Sequence, residues 1–360
     1  MNFLKKVILT IVTLSIVTSL SLTLTGCPPA PPVEEVEETT PEETTEEVTE
    51  EVEKPLSEMV IGYIMPYNLG WFAYLGDAFD LVCNQYGIKT IRLLSWWEAE
   101  KEIQAVQDLV AIGVDAINVC SGGPDAAQRD CQIANEANIP ISIEDSAIAE
   151  GPGKPITDIE FDWFRVGQIM AEKAIEHGGT KVVSIQGIAG VGPVELQNQG
   201  LMDVAESTGK LEVVKIEYCE YMEDLAYTAI KDIVQSGLEF DVVIGGCMEL
   251  TEGVIEGLKS ENVDLDDVFI MSCNGGPMDV VNFDEGELDG AISQSPGFHG
   301  LLCALTVVEY IKGNPPPELV FTPIIWVDQS NYKEKTLPWH MDTTWIPIAE
   351  EFIRTGELHY

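Results

Sequence analysis

From Met59 to Gln294, short β-branched runs alternate with stretches that place an apolar residue at every third or fourth position, and few folds accept that alternation. Val60–Met65 (VIGYIM) reads as a buried strand. The segment after it sets Phe72, Leu75, Phe79, Val82 and Tyr86 on one face of a helix. Ile91–Leu94 is again strand-like, and Glu98–Ile112 carries Ile103, Val106 and Val110 at helical spacing. Ala116–Cys120, a helix over Ala126–Ala137 and Ile139–Ile143 continue the pattern. A second set restarts near Trp163: strands at Lys181–Gln186, Leu211–Tyr218, Asp241–Gly246, Val268–Cys273 and Ala291–Gln294, with helices at Val194–Ser207, Leu225–Ser236 and Leu250–Glu261. Continuous apolar strands separated by helices predict parallel sheets covered on both faces. One sheet of that many strands is long, so the expected class is α/β with two doubly wound parallel-sheet lobes.

In such sheets a ligand sits beyond the carboxyl ends of the strands. The first set of ends offers Asn68, Trp71 and Phe72, then Trp96 and Trp97, Cys120, and Glu144-Asp145-Ser146. The second offers Gly187–Gln197, Cys219–Tyr221, Cys247–Glu249, Cys273-Asn274 and Gln294. Aromatics, carboxylates and amides with almost no cations form a set that suits sugars. Ring faces cover C–H surfaces, while planar carboxylates and amides pair with neighbouring hydroxyls. Core packing at a helix start is the competing assignment for Trp71 and Phe72, a helix cap or loop acid for Asp145, and loop packing for Trp97. The glycine run 187–192 lacks dinucleotide spacing and reads as a turn of close approach.

With 19 basic and 61 acidic residues the net charge is −42, which repels phosphate backbones and anionic lipid and excludes direct nucleic-acid binding. Residues 1–27 read as an address: basic Met1–Lys6, apolar Val7–Leu24, then Leu24-Thr25-Gly26-Cys27, the pattern of a bacterial lipoprotein signal with Cys27 acylated. Residues 28–54, almost single-signed and rich in Pro, Glu and Thr, read as an extended tether. The expected location is extracytoplasmic, touching the membrane through the lipid anchor only. Eight cysteines less Cys27 leave seven with no C-x-x-C spacing, so free thiols are expected over a Cys247–Cys273 disulfide, and no metal site is expected. None of His177, His299, His340 and His359 has a nucleophile beside it, and acid/base work by Asp145 and Glu249 has no motif behind it.

Ile61–Phe72 (IGYIMPYNLGWF), Ala134–Asp145 (ANEANIPISIED), Gln186–Gly190 (QGIAG) and Val268–Gln294 (VFIMSCNGGPMDVVNFDEGELDGAISQ) resemble the periplasmic sugar-binding proteins of the ribose-binding type, the type I solute receptors of ABC importers. The resemblance runs through roughly 60–313. It implies two lobes joined by three hinge crossings, the first over 58–159 plus 295–323 and the second over 160–294 plus 324–360. It implies ring stacking by Trp71 and Phe72, two hydroxyls on Asp145, an aromatic at Tyr221 and a closing amide at Gln294. Departures from the ribose pattern are Ser146 and Gln197 in place of arginines, Cys120 and Cys247 in place of asparagines, and Cys273-Asn274 in place of Phe-Asp. Without those guanidinium forks, another monosaccharide, a polyol or a cationic small solute fits better than ribose. The resemblance implies a monomer, without cofactor or catalysis, that delivers its ligand to an ABC permease. A sensing domain for a chemoreceptor or kinase and a secreted hydrolase are the alternatives.

Overall fold

A computed structural model describes residues 54–360. The expected leader, Cys27 and the tether up to residue 53 lie outside the described residues. In chain order the first elements are β1 (Val60–Met65), α1 (Trp71–Gln85), β2 (Lys89–Leu94), α2 (Ala99–Ile112), β3 (Ala116–Cys120), α3 (Pro124–Glu136), β4 (Ile141–Glu144) and β5 (Asp158–Glu160). The middle of the chain forms α4 (Trp163–Glu176), β6 (Lys181–Gln186), α5 (Gly192–Thr208), β7 (Glu212–Tyr218), α6 (Glu223–Gln235), β8 (Val242–Gly245), α7 (Met248–Ser260), β9 (Phe269–Asn274), α8 (Pro277–Glu285) and β10 (Gly290–Ser293). Then follow α9 (Pro296–Ile311), β11 (Leu319–Phe321), β12 (Ile325–Asp328), α10 (Tyr332–Lys335) and α11 (Ile346–Thr355).

The strands form two sheets, ordered β11-β5-β4-β3-β1-β2 and β12-β10-β9-β8-β6-β7. Every pairing is parallel except that of β12 with β10. The two-lobe α/β class expected from the alternation is therefore the observed one. Strand β1 shows why it arises. Ile61, Tyr63, Ile64 and Met65 are fully buried on alternating faces, because helices cover both sides. Helix α2 lies so close that a Cβ on Gly62 would sit 2.4 Å from Leu109 Cδ1, which leaves glycine as the residue that fits.

The chain passes from the first sheet to the second after β5, returns between β10 and α9, and crosses again between β11 and β12. Thr322 N–H donates to Glu160 C=O at 2.7 Å where two of these crossings run side by side. The stretch 324–360, expected to belong wholly to the second lobe, is divided. Ile325, Val327 and Tyr332 join the second lobe's core, but Ile346, Ala349 and Phe352 of α11 lie in the core of the first. The cause is α9, buried continuously from Pro296 to Val308 and apolar all round, so it needs cover on every side. Phe352 and Trp345 meet its Phe298 edge-on at 5.8 and 6.2 Å.

Lys54 forms an ion pair with Asp115 at 2.7 Å, fixing the start of the described chain to the first lobe. No helix among the described residues is long and apolar enough to cross a membrane.

Candidate ligand-binding site

The loops that carry the chain away from the strand ends have unusual backbone. Of the eight non-glycine residues with positive φ among the described residues, six lie at or just beyond these strand ends: Trp96, Trp97, Asp145, Glu220, Tyr221 and Asn274. Left-handed backbone costs an L-residue about 1–2 kcal/mol and collects at ligand clamps. Trp71 and Phe72 open α1 directly after Gly70, whose φ of 55° turns the chain from the β1 tip into the helix.

Both of these rings are half-buried. Trp71 meets Trp339 edge-on at 5.1 Å and Phe161 at 5.8 Å, while Phe72 meets Trp97 at 5.7 Å and Tyr67 at 6.2 Å. The first lobe thus presents two aromatic clusters, one around Trp71 and one around Phe72. Beside them stands Asp145, held at φ 57° with its N–H donating to Ile159 C=O at 3.0 Å. Its Oδ1 has no hydrogen-bond partner. Burial pushes the Asp145 carboxyl up to about 6; Glu144 and Glu160 add to the rise, and His299 and Trp163 oppose it. On the second lobe the Tyr221 phenol is pushed up by desolvation first, then by Cys247, Cys273 and Asp145. The Tyr221 ring lies over Gly187, where a Cβ would come within 2.2 Å of it. Close approach in the glycine run is thus seen at Gly187, while Gly190 and Gly192 face open space.

On the second lobe, Gln197, Cys273, Asn274 and Gln294 form one hydrogen-bonded set. Gln197 Nε2 donates to Cys273 Sγ at 3.1 Å, Cys273 Sγ to Gln294 Oε1 at 3.3 Å, and Asn274 Nδ2 to the same oxygen at 3.5 Å. Gln294 Nε2 is left buried without a partner. Cys247 is buried at the start of α7, with Glu249 half-buried in the first turn. Ser146 folds back on its own loop, donating to Ala147 C=O at 3.0 Å. Cys120 is fully buried beneath the tip of β3. Asn68 lies apart from the others, exposed and accepting from Arg92 Nη1 at 3.3 Å. Three cations on these elements are already paired: Arg92 with Asp77 and Asp80, Lys101 with Glu98, Arg165 with Glu172.

Residues 61–315 match the family model described as a periplasmic binding protein domain. The chain belongs to that family. Among the curated relatives of this periplasmic binding protein is the ribose import binding protein of Bacillus subtilis, 21% identical over 270 residues that cover 74% of this chain and 86% of the relative. The ribose import binding protein of Escherichia coli is 24% identical over 250 residues, 68% of this chain and 82% of its own. A solute binding protein of an ABC transporter from Bacillus halodurans, solved with myo-inositol, superposes with a TM-score of 0.70 at 22% identity, covering 77% of this chain and 96% of its own. The resemblance to the ribose-binding type is thus borne out at the level of family and fold.

Several buried polar residues carry no signal at the strand ends. Trp163 Nε1 is a buried donor without a hydrogen bond, and Asn198, only 5% exposed, leaves both its Nδ2 donor and its Oδ1 acceptor unpaired. Asn198 follows Gln197 on α5, and its signal is an amide on the core-facing stripe Val194-Asn198-Leu201-Ala205. Glu144, the neighbour of Asp145, ties β4 to β1 and α9. It accepts from Tyr63 Oη at 2.8 Å and from Cys303 Sγ at 2.6 Å, with His299 Nε2 at 3.5 Å. His299 Nδ1 pairs with Thr322 Oγ1 at 2.6 Å, and its ring stacks on Phe161 at 4.8 Å. Burial pulls the His299 imidazole down, but Glu144, Asp145 and Glu160 pull it up further, so the net shift is upward.

This chemistry fixes a pH dependence. Burial is the first cause raising Asp145 to about 6, Asp279 to about 7, Asp158 to about 8 and Asp130 to about 9. A carboxyl whose folded value is raised contributes stability that is full below its unfolded value, about 4, and lost as pH rises through the folded value. His299 acts in the same direction, from about 6.5 upward. The melting midpoint of the unliganded protein is therefore expected to fall by several degrees between pH 5 and pH 9 in differential scanning fluorimetry. A midpoint that climbs over that interval would mean these acids are buried as well-compensated anions.

Proposed function

We propose that this protein is an extracytoplasmic solute receptor that closes its two lobes on a small sugar or polyol and presents it to an ABC import permease. The observation that carries this reading is the gathering at the strand ends of Trp71, Phe72 and Asp145 on one lobe and of Tyr221 and the amides of Gln197, Asn274 and Gln294 on the other. Such a set covers one face of a ring and leaves acceptors and donors for hydroxyls. The ribose import proteins among its relatives and the inositol bound to its structural neighbour support a polyhydroxylated ring as the ligand. Closure needs no chemistry, since the closed form gains by the ligand's greater affinity for it. Binding without turnover suits the seven described cysteines as well. Burial raises the pKa of every one of these thiols, which keeps them from acting as thiolate nucleophiles. On this reading Cys27 carries the lipid that holds the receptor at the membrane.

A thermal-shift panel of pentoses, hexoses, inositols, acyclic polyols and small amines tests the reading. One member is expected to raise the midpoint by several degrees at about 100 times its Kd, where linkage supplies about 2.7 kcal/mol. It should be recovered unchanged. A panel without any shift, or consumption of the ligand, would remove the proposal.

A further inference from the structure

The matched family region ends at residue 315, and the segment between α10 and α11 lies beyond it. That segment is fixed against the hinge at three points. Leu337 N–H donates to Ser293 Oγ at 2.9 Å, and Ser295 Oγ–H donates to Pro338 C=O at 2.6 Å. The carbonyl of Trp339 lies against Gly297, where a Cβ would approach it to 2.2 Å. These anchors aim the Trp339 side chain into the gap. Its indole meets Trp71 at 5.1 Å and Tyr74 at 5.6 Å, both on α1 of the first lobe. On the second lobe it covers Gly276, where a Cβ would lie 2.7 Å from Trp339 Cζ2. One ring therefore touches both lobes, beside the aromatic expected to stack on the ligand. Trp339 is 5% exposed, and its Nε1–H is buried without a partner.

Packing alone does not account for an indole here. A phenyl ring would fill against Trp71 and Tyr74 without carrying a buried, unpaired donor into the gap. We propose that the C-terminal tail supplies Trp339 as a wall of the ligand site. There its ring, with Trp71, limits the guest to a compact single ring, and its N–H donates to one oxygen of that guest. This rests on the solute-receptor reading and deepens it: the guest is a monocyclic sugar or cyclitol with an acceptor oxygen turned toward the tail.

The test uses the full chain, the tightest binder from the sugar and polyol panel, and its set of single-deoxy analogues, measured by titration calorimetry on wild type and Trp339→Phe. The substitution is expected to weaken the parent ligand about ten-fold, the order of one lost hydrogen bond. One deoxy analogue should bind both proteins equally, because it lacks the oxygen that Trp339 contacts. Unchanged affinity for the parent, or a loss uniform across all analogues, would overturn the proposal. Should Trp339→Phe fail to fold, indole-¹⁵N-labelled wild type gives the same answer. Ligand must then slow solvent exchange of the Trp339 N–H, and no change overturns the assignment. A wild type that binds no sugar or polyol at all removes the receptor reading, and this inference with it. A wild type that binds normally beside an indifferent Trp339→Phe removes only the inference.

Discussion

Asp145→Asn is expected to stabilise the empty protein and to abolish its response to ligand. Asparagine has the same shape and tolerates the φ of 57° found here, and the bond from its N–H to Ile159 C=O is retained. The substitution removes a carboxyl that burial, Glu144 and Glu160 push up to about 6. A rise of about two pKa units corresponds to roughly 3 kcal/mol, and partial exposure of the residue reduces this to about 1–2 kcal/mol at neutral pH. His299 keeps Glu144 as its nearer partner, so the hinge network survives. The unliganded midpoint should therefore rise by a few degrees at pH 8 and hardly at all at pH 5, where wild-type Asp145 is itself mostly protonated. The ligand-induced shift should disappear at pH 8, because an amide cannot accept from two neighbouring hydroxyls as a carboxylate does. Scanning fluorimetry with and without ligand reads both effects. A lower unliganded midpoint would make Asp145 a structural acid, and a persisting shift would place the site elsewhere.

Ending the chain at Asp342 should cost far more stability than loss of a surface tail. The cut removes Ile346, Ala349 and Phe352 from the first lobe's core and uncovers Phe298 on α9. Two large side chains at about 1.5–3 kcal/mol each, with alanine adding less, amount to roughly 5 kcal/mol. For a protein of this size that lowers the midpoint by roughly 10 °C or more. The exposed apolar face of α9 should also promote self-association, visible in light scattering. A truncated protein that melts with the full chain would show that α11 is dispensable to the core.

The strands were largely legible because their environment is uniform. Residues buried on both faces give short apolar runs, so β1, β3 and β6 begin and end where those runs do. Helices with one wet face, such as α1 and α2, announced themselves by period. Helix α9 did not, since its buried run from Pro296 to Val308 has no polar face to set a period. Strands β5 and β11 are three residues each, too short for any pattern. The tail misled for a different reason: which lobe α11 covers depends on the unmet surface of α9, a long-range fact that no local window contains. The strand-end rule singled out Asp145, Tyr221 and the tryptophans at 71 and 97, yet it could not distinguish a side chain open to a guest from one already engaged. Gln197 and Cys273 are bonded to each other, whereas Asn198, Trp163 and Trp339 hold the unpaired groups.

The left-handed residues on the rim have a consequence for how such a receptor changes its taste over evolutionary time. Six positions there accept only side chains that tolerate that backbone, so drift at Asp145, Tyr221 or Asn274 toward valine or isoleucine would distort the loop before it altered selectivity. Ser146, Gln197 and Cys247 have ordinary backbone, and substitution there leaves the frame intact. Those three are among the positions at which this chain departs from the ribose pattern. New preferences can thus be written at the pliable positions while the rigid ones preserve the frame that presents them.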